Sequence, residues 1–158
     1  ARVAPVSLGG QPEAGLSAWL APHGHPVEVL GLHLRWPMSP DSAAMRNREL
    51  AGLAAYAAHA RWCSPRRRNR RSTRYTTPFA RMLRAGRLGD CAAGRGLHAT
   101  WPSRFPPGYL QIDHCLHTEG VWVDRFEVGP FVGSDHYPLL ATLRVPDSAG
   151  LAAVFPRD

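Results

Sequence analysis

Apolar positions along the chain sort into short alternating runs and one long helical stripe. Leu16 to Ala21 and Val27 to Leu34 are rich in strand-forming residues and flank the turn-like Pro22-His23-Gly24-His25-Pro26. They predict two strands, the second ended by Trp36-Pro37. From Asp41, read as the capping residue after Pro40, to about Arg61, the apolar positions Met45, Leu50, Leu53, Ala54 and Ala57 recur at helical spacing. A shorter helix is expected over Pro78 to Ala85, with Gly86 as its stop. Ile112 to His117, Val121 to Val128 and Leu139 to Val145 then predict three strands at hairpin-like spacing. Glu119-Gly120 and the loop from Gly129 to His136 join them. Residues 1–15, rich in Gly and Pro, read as irregular, and residues 147–158 as a peripheral tail. Strands early, helices in the middle and strands late predict a mixed layered fold of the α/β (α+β) kind in one domain.

The interval from Cys63 to Thr77 breaks this pattern. It holds no aliphatic residue and one aromatic, Tyr75, so it has nothing to bury and reads as a loop. It also explains the charge. All 19 basic residues are Arg, against 12 acids, for a net charge of +7. Six of those Arg fall between Arg66 and Arg74, and without them 13 bases face 12 acids. The basicity is one local run, not a basic surface. A solvated segment is the plain reading of such a run, and non-specific nucleic-acid binding the sharper one.

Other classes lack their signatures. Cys63, Cys91 and Cys115 are an odd number at wide spacing, which makes neither a zinc pattern nor a disulfide framework. Asp113, Ser134 and His136 do not make a serine hydrolase, because no Gly-x-Ser-x-Gly elbow is present. His114 and His117 stand three apart on a predicted strand, facing opposite sides, which argues against a shared metal. No apolar stretch approaches the ~18 residues of a membrane span. No basic start with an apolar run and a cleavage site is seen, and localisation is left open.

Three segments in order carry a resemblance. They are the strand ending at His33 (Val27 to Leu34), Ile112-Asp113-His114-Cys115-Leu116 after Thr100-Trp101-Pro102, and Gly133-Ser134-Asp135-His136-Tyr137-Pro138-Leu139 before the last strand. Together they resemble the endonuclease/exonuclease/phosphatase superfamily of metal-dependent phosphodiesterases, closest to its uncharacterised bacterial members, over roughly residues 16 to 146. The resemblance implies a four-layer α/β sandwich with two central mixed sheets, of which this chain is the C-terminal portion. It implies divalent-metal-dependent hydrolysis of a phosphodiester or phosphomonoester. His136 would be the base or phosphoryl-stabilising histidine, Asp113 its orienting carboxylate and His33 an acid or phosphate donor. Asp135 would serve a Mg²⁺ (or Mn²⁺) site. Nucleic acid, phospholipid and inositol phosphate are undistinguished as substrates, and no obligate protein partner is implied.

Two departures set limits on that likeness. The early Asn and Gln-Glu strands of the superfamily have no match, since Glu13 lies in a Gly/Pro-rich stretch and Glu28 faces away from His33 on the same strand. A strand with Gly-Asp-Phe-Asn is expected where the Arg-rich run stands, and two compensating frameshifts in GC-rich DNA would account for it. Gly89-Asp90 is not read as that motif, because no strand precedes it. The alternative is therefore a truncated, catalytically inactive remnant with an Arg-rich segment that binds nucleic acid without specificity.

Overall fold

The computed structural model describes residues 2–24, 26–59, 77–104 and 110–145, apart from the side chains of Glu13 and His23. The Arg-rich interval up to Thr76, the frameshift reading attached to it and the tail lie outside the described residues. The described chain is α+β, with two α-helices and antiparallel sheets. It forms two compact units, one holding the described residues up to Arg87 and the other residues 88–104 and 110–145.

The first unit opens with a hairpin of β1 (Arg2–Leu8) and β2 (Gln11–Leu20), and β2 pairs antiparallel with β3 (Val27–Leu32). The expectation of irregular structure before Leu16 is therefore wrong. Gly9 and Gly10, counted there as breakers, are the hairpin turn, with φ of 57° and 82°. Two residues with positive φ are what a tight turn between right-twisted strands requires. Val6 and Leu8 turn inward and are buried.

Helix α1 (Pro40–His59) buries Leu50, Leu53, Ala54 and Ala57. Its cap is Ser39 and not Asp41. The Ser42 N–H donates to Ser39 Oγ at 3.1 Å, and the Ser39 N–H donates back to Ser42 Oγ at 2.8 Å. That reciprocal pair, with Pro40 in the first helical position, satisfies donors the helix leaves open. The hairpin tip rests on this helix. A Cβ on Gly52 would lie 2.4 Å from the backbone N of Gly9, so the contact is backbone to backbone. Buried Glu49 accepts the Arg35 N–H at 2.9 Å, which ties the chain beyond β3 to the helix. Helix α2 (Thr77–Ala85) buries Met82. It ends at Gly86, whose N–H donates to the Met82 carbonyl, but Arg87, with φ 54°, takes the left-handed position.

The second unit has two short sheets. β4 (Leu88–Asp90) pairs with β5 (Leu116–Thr118), and β6 (Trp122–Val128) pairs with β7 (Leu139–Arg144). Two expectations need correction. Gly89-Asp90 lies within a strand. Of Ile112 to His117 only the last two residues are strand, and they pair upstream with β4 rather than with the following strand. Gly120, with φ 88°, redirects the chain between β5 and β6 and leaves β5 to its earlier partner. Cys91, Ala92 and Phe126 form the core of this unit, with Cys115, Val123 and Leu139 packed against them.

Candidate functional site

The loop between β6 and β7 carries Ser134, Asp135 and His136. The Gly129 N–H donates to the Pro138 carbonyl at 2.8 Å and closes the loop at its base. Its apex is held by the segment Thr100 to Ser103. The Tyr137 N–H donates to the Thr100 carbonyl at 2.8 Å, and the Ser103 N–H to the Asp135 carbonyl at 2.9 Å. Ser103 Oγ donates to the Ser134 carbonyl at 2.6 Å, and the Tyr137 hydroxyl donates to the Ser103 carbonyl at 2.9 Å. Thr100 and Ser103 are buried, so these bonds anchor an exposed loop to a buried segment. Four hydrogen bonds thus fix the residues on both sides of His136 while its own side chain stays out of the clamp.

His136 Nδ1 is 2.8 Å from Asp113 Oδ2. A carboxylate accepts only, so the imidazole donates Nδ1–H and its neutral form keeps a lone pair on Nε2. Side-chain exposures of 37% for His136 and 40% for Asp113 leave the pair open to a solvent-borne ligand. This is a histidine with a fixed tautomer, able to take a proton at Nε2 while the carboxylate stabilises the resulting charge.

A second Asp–His contact lies close by in sequence. His114 Nδ1 is 3.5 Å from Asp90 Oδ2, and Asp90 is buried. Asp90 Oδ1 also accepts the Ala92 N–H at 2.8 Å. With its carboxylate committed to a turn, Asp90 reads as structural. His117 lies over Gly89, where a Cβ would be 2.4 Å from its ring, so the two histidines have separate surroundings. His33 stands exposed just beyond β3 in the first unit, with its N–H on the Ala14 carbonyl, and the Asp113–His136 pair forms without it. Glu28 accepts hydrogen bonds from Ser17 Oγ and the Tyr56 hydroxyl, and so ties β3 to β2 and α1.

Asp135 is exposed beside His136 and has the hard oxygen donors that Mg²⁺ or Mn²⁺ takes. Among the described residues no three His, Cys, Asp or Glu side chains converge on a metal position. Asp135 is thus a single carboxylate of suitable donor chemistry, not an assembled ligand set. Arg104 places a guanidinium 5.4 Å from the ring centroid of Phe131, in the same loop. An open groove of about 490 Å³ lies elsewhere on this unit, lined by Asp90, Arg95, His117, Trp122, Asp124 and Arg144. Its two arginines are already engaged: Arg95 donates to the Val123 carbonyl at 2.6 Å and Arg144 pairs with Asp124 at 2.7 Å. The pinned histidine is the better candidate for chemistry.

Sequence reasoning missed Ser103 and Tyr137 as supports. Their one signal was position, directly after Thr100-Trp101-Pro102 and directly after His136. No helix among the described residues is long and apolar enough to cross a membrane. No protein-family model, curated protein or solved structure matches the chain.

Proposed function

We propose that the chain is an endonuclease/exonuclease/phosphatase-type protein that hydrolyses phosphodiester or phosphomonoester bonds with the help of Mg²⁺ or Mn²⁺. The observation that carries this reading is the hydrogen bond from His136 Nδ1 to Asp113 Oδ2, in a loop clamped on both sides of the histidine. Asp113 holds the tautomer, so His136 Nε2 takes the proton of the attacking water. Asp113 then stabilises the imidazolium. Asp135 would hold the metal, which when bound supplies positive charge for the phosphoryl oxygens. His33 is carried by the resemblance alone, as an acid for the leaving oxygen or a phosphate donor. The four-layer sandwich with two central sheets is part of the same proposal.

The test is turnover of a generic phosphodiester by the chain with Mg²⁺, with Mn²⁺ and with chelator, and by His136→Ala. Chelator-sensitive turnover that His136→Ala abolishes is expected. Turnover that survives that substitution would sink the role given to His136. The convergence of no three ligating side chains among the described residues favours a second reading, the catalytically inactive remnant. Absence of turnover under every metal condition would select it.

A further inference from the structure

Cys91 and Cys115 are 24 residues apart in sequence and meet in the core of the second unit, with sulfurs 2.8 Å apart. The backbone explains the meeting. β4 and β5 pair Leu88 with Thr118, Gly89 with His117 and Asp90 with Leu116, so the next pair in register is Cys91 with Cys115. The Cys91 N–H donates to the Cys115 carbonyl at 2.9 Å, which continues the ladder by one step. Directly opposed residues of an antiparallel pair hold their Cβ atoms about 4.5–5.5 Å apart, a small adjustment from the span a disulfide closes. Both cysteines are free thiols.

Burial separates the two sulfurs. Cys91 is fully buried, whereas Cys115 is only partly so. No third ligating side chain joins them among the described residues, which argues against half of a zinc site. We infer that Cys91 and Cys115 form a dithiol–disulfide site that low-molecular-weight disulfides oxidise, with Cys115 as the entry sulfur. Cys115 thiolate attacks one sulfur of the external disulfide, forms a mixed disulfide and releases one thiolate. Cys91 then loses its proton and attacks the Cys115 sulfur, expelling the second thiolate. Two protein thiols lose two electrons and two protons, and one external disulfide becomes two thiols. The hydrogen bond between the thiols holds Cys115 below its ordinary range and pushes Cys91 up, which suits this order of attack.

The bond would join the turn after β4 to the segment that carries Asp113, two residues from Cys115. The site stands without any reading of hydrolysis, so a chain lacking turnover still tests it. The full chain carrying Cys63→Ser is incubated, folded, with oxidised glutathione, then read by intact mass and non-reducing peptide mapping. The expected result is loss of two hydrogens, a linked Cys91–Cys115 peptide and reversal by dithiothreitol. In the same background Cys91→Ser should instead stop at one glutathione on Cys115. A stable adduct on Cys115 with Cys91 left as a thiol would overturn the inference. So would linkage that forms only after unfolding, or labelling of Cys91 before Cys115.

Discussion

Ser103 Oγ lies 2.6 Å from the carbonyl oxygen of Ser134, and the adjacent Ser103 N–H lies on the Asp135 carbonyl. One buried serine therefore holds two consecutive peptide groups just before His136. Removing the hydroxyl in Ser103→Ala leaves the Ser134 carbonyl without its side-chain donor. The expected loss of stability is about 1 kcal/mol, by urea denaturation. If the clamp aims the histidine, kcat falls while KM for a small phosphodiester stays within a factor of about two. Ser103→Thr keeps the hydroxyl and should restore kcat. Equal kcat in Ser103→Ala and wild type would make the clamp structural only.

Asp113→Asn tests the carboxylate separately from the fold. Asp113 is only half-buried, so the substitution costs little packing. Asparagine can present either an oxygen or an NH₂ group to Nδ1, and it carries no charge to stabilise an imidazolium. On the proposed reading kcat drops on the order of 100-fold or more, with the melting temperature nearly unchanged. Nitrogen chemical shifts of the His136 ring give a readout independent of turnover. The wild type should show Nδ1 protonated in the neutral ring, and the variant a mixture.

What the sequence revealed depended on how local each feature is. The α1 stripe, the pairing segment of β3 and the two strands flanking the Ser134-Asp135-His136 loop are legible because period and turn chemistry are short-range signals. Asp113 and His136 stand out because each sits in a recognisable run. Ser103 gripping Ser134, 31 residues away, has no local signature, since only the fold brings those backbones together. The same holds for Cys91 and Cys115, whose spacing is silent until the β4–β5 register is known. Residues 2–8 show a different failure. Gly and Pro read there as breakers, whereas Gly9-Gly10, directly after the alternating apolar Val6 and Leu8 and directly before the partner strand at Gln11, is itself a hairpin signal.

Gly52→Ala sets two effects against each other. Alanine in a helix interior is favoured over glycine by ~1 kcal/mol. Here the new Cβ would sit 2.4 Å from the backbone N of Gly9, and backbone cannot rotate away as a side chain can. Overpacking of this kind costs about 1–3 kcal/mol, so net destabilisation is expected. The urea midpoint decides the sign. A more stable variant would mean that the hairpin tip moves off α1 at little cost.

Tyr56 gives a pH-dependent contribution with a definite sign. Its hydroxyl donates to Glu28 at 2.6 Å, and that bond, then burial, then the nearby Glu28 charge raise its pKa above the usual tyrosine value. Unfolded, the phenol titrates near pH ~10. A group whose folded pKa is raised contributes fully below the unfolded value, and its contribution is lost as pH rises through the folded one. Wild type should therefore exceed Tyr56→Phe in stability at neutral pH, with a gap that narrows once the pH passes about 10. Urea midpoints of both proteins at a series of alkaline pH values measure that gap. The other tyrosines titrate in both proteins and cancel in the difference, so a gap that stays constant would show that Glu28 does not hold the Tyr56 proton.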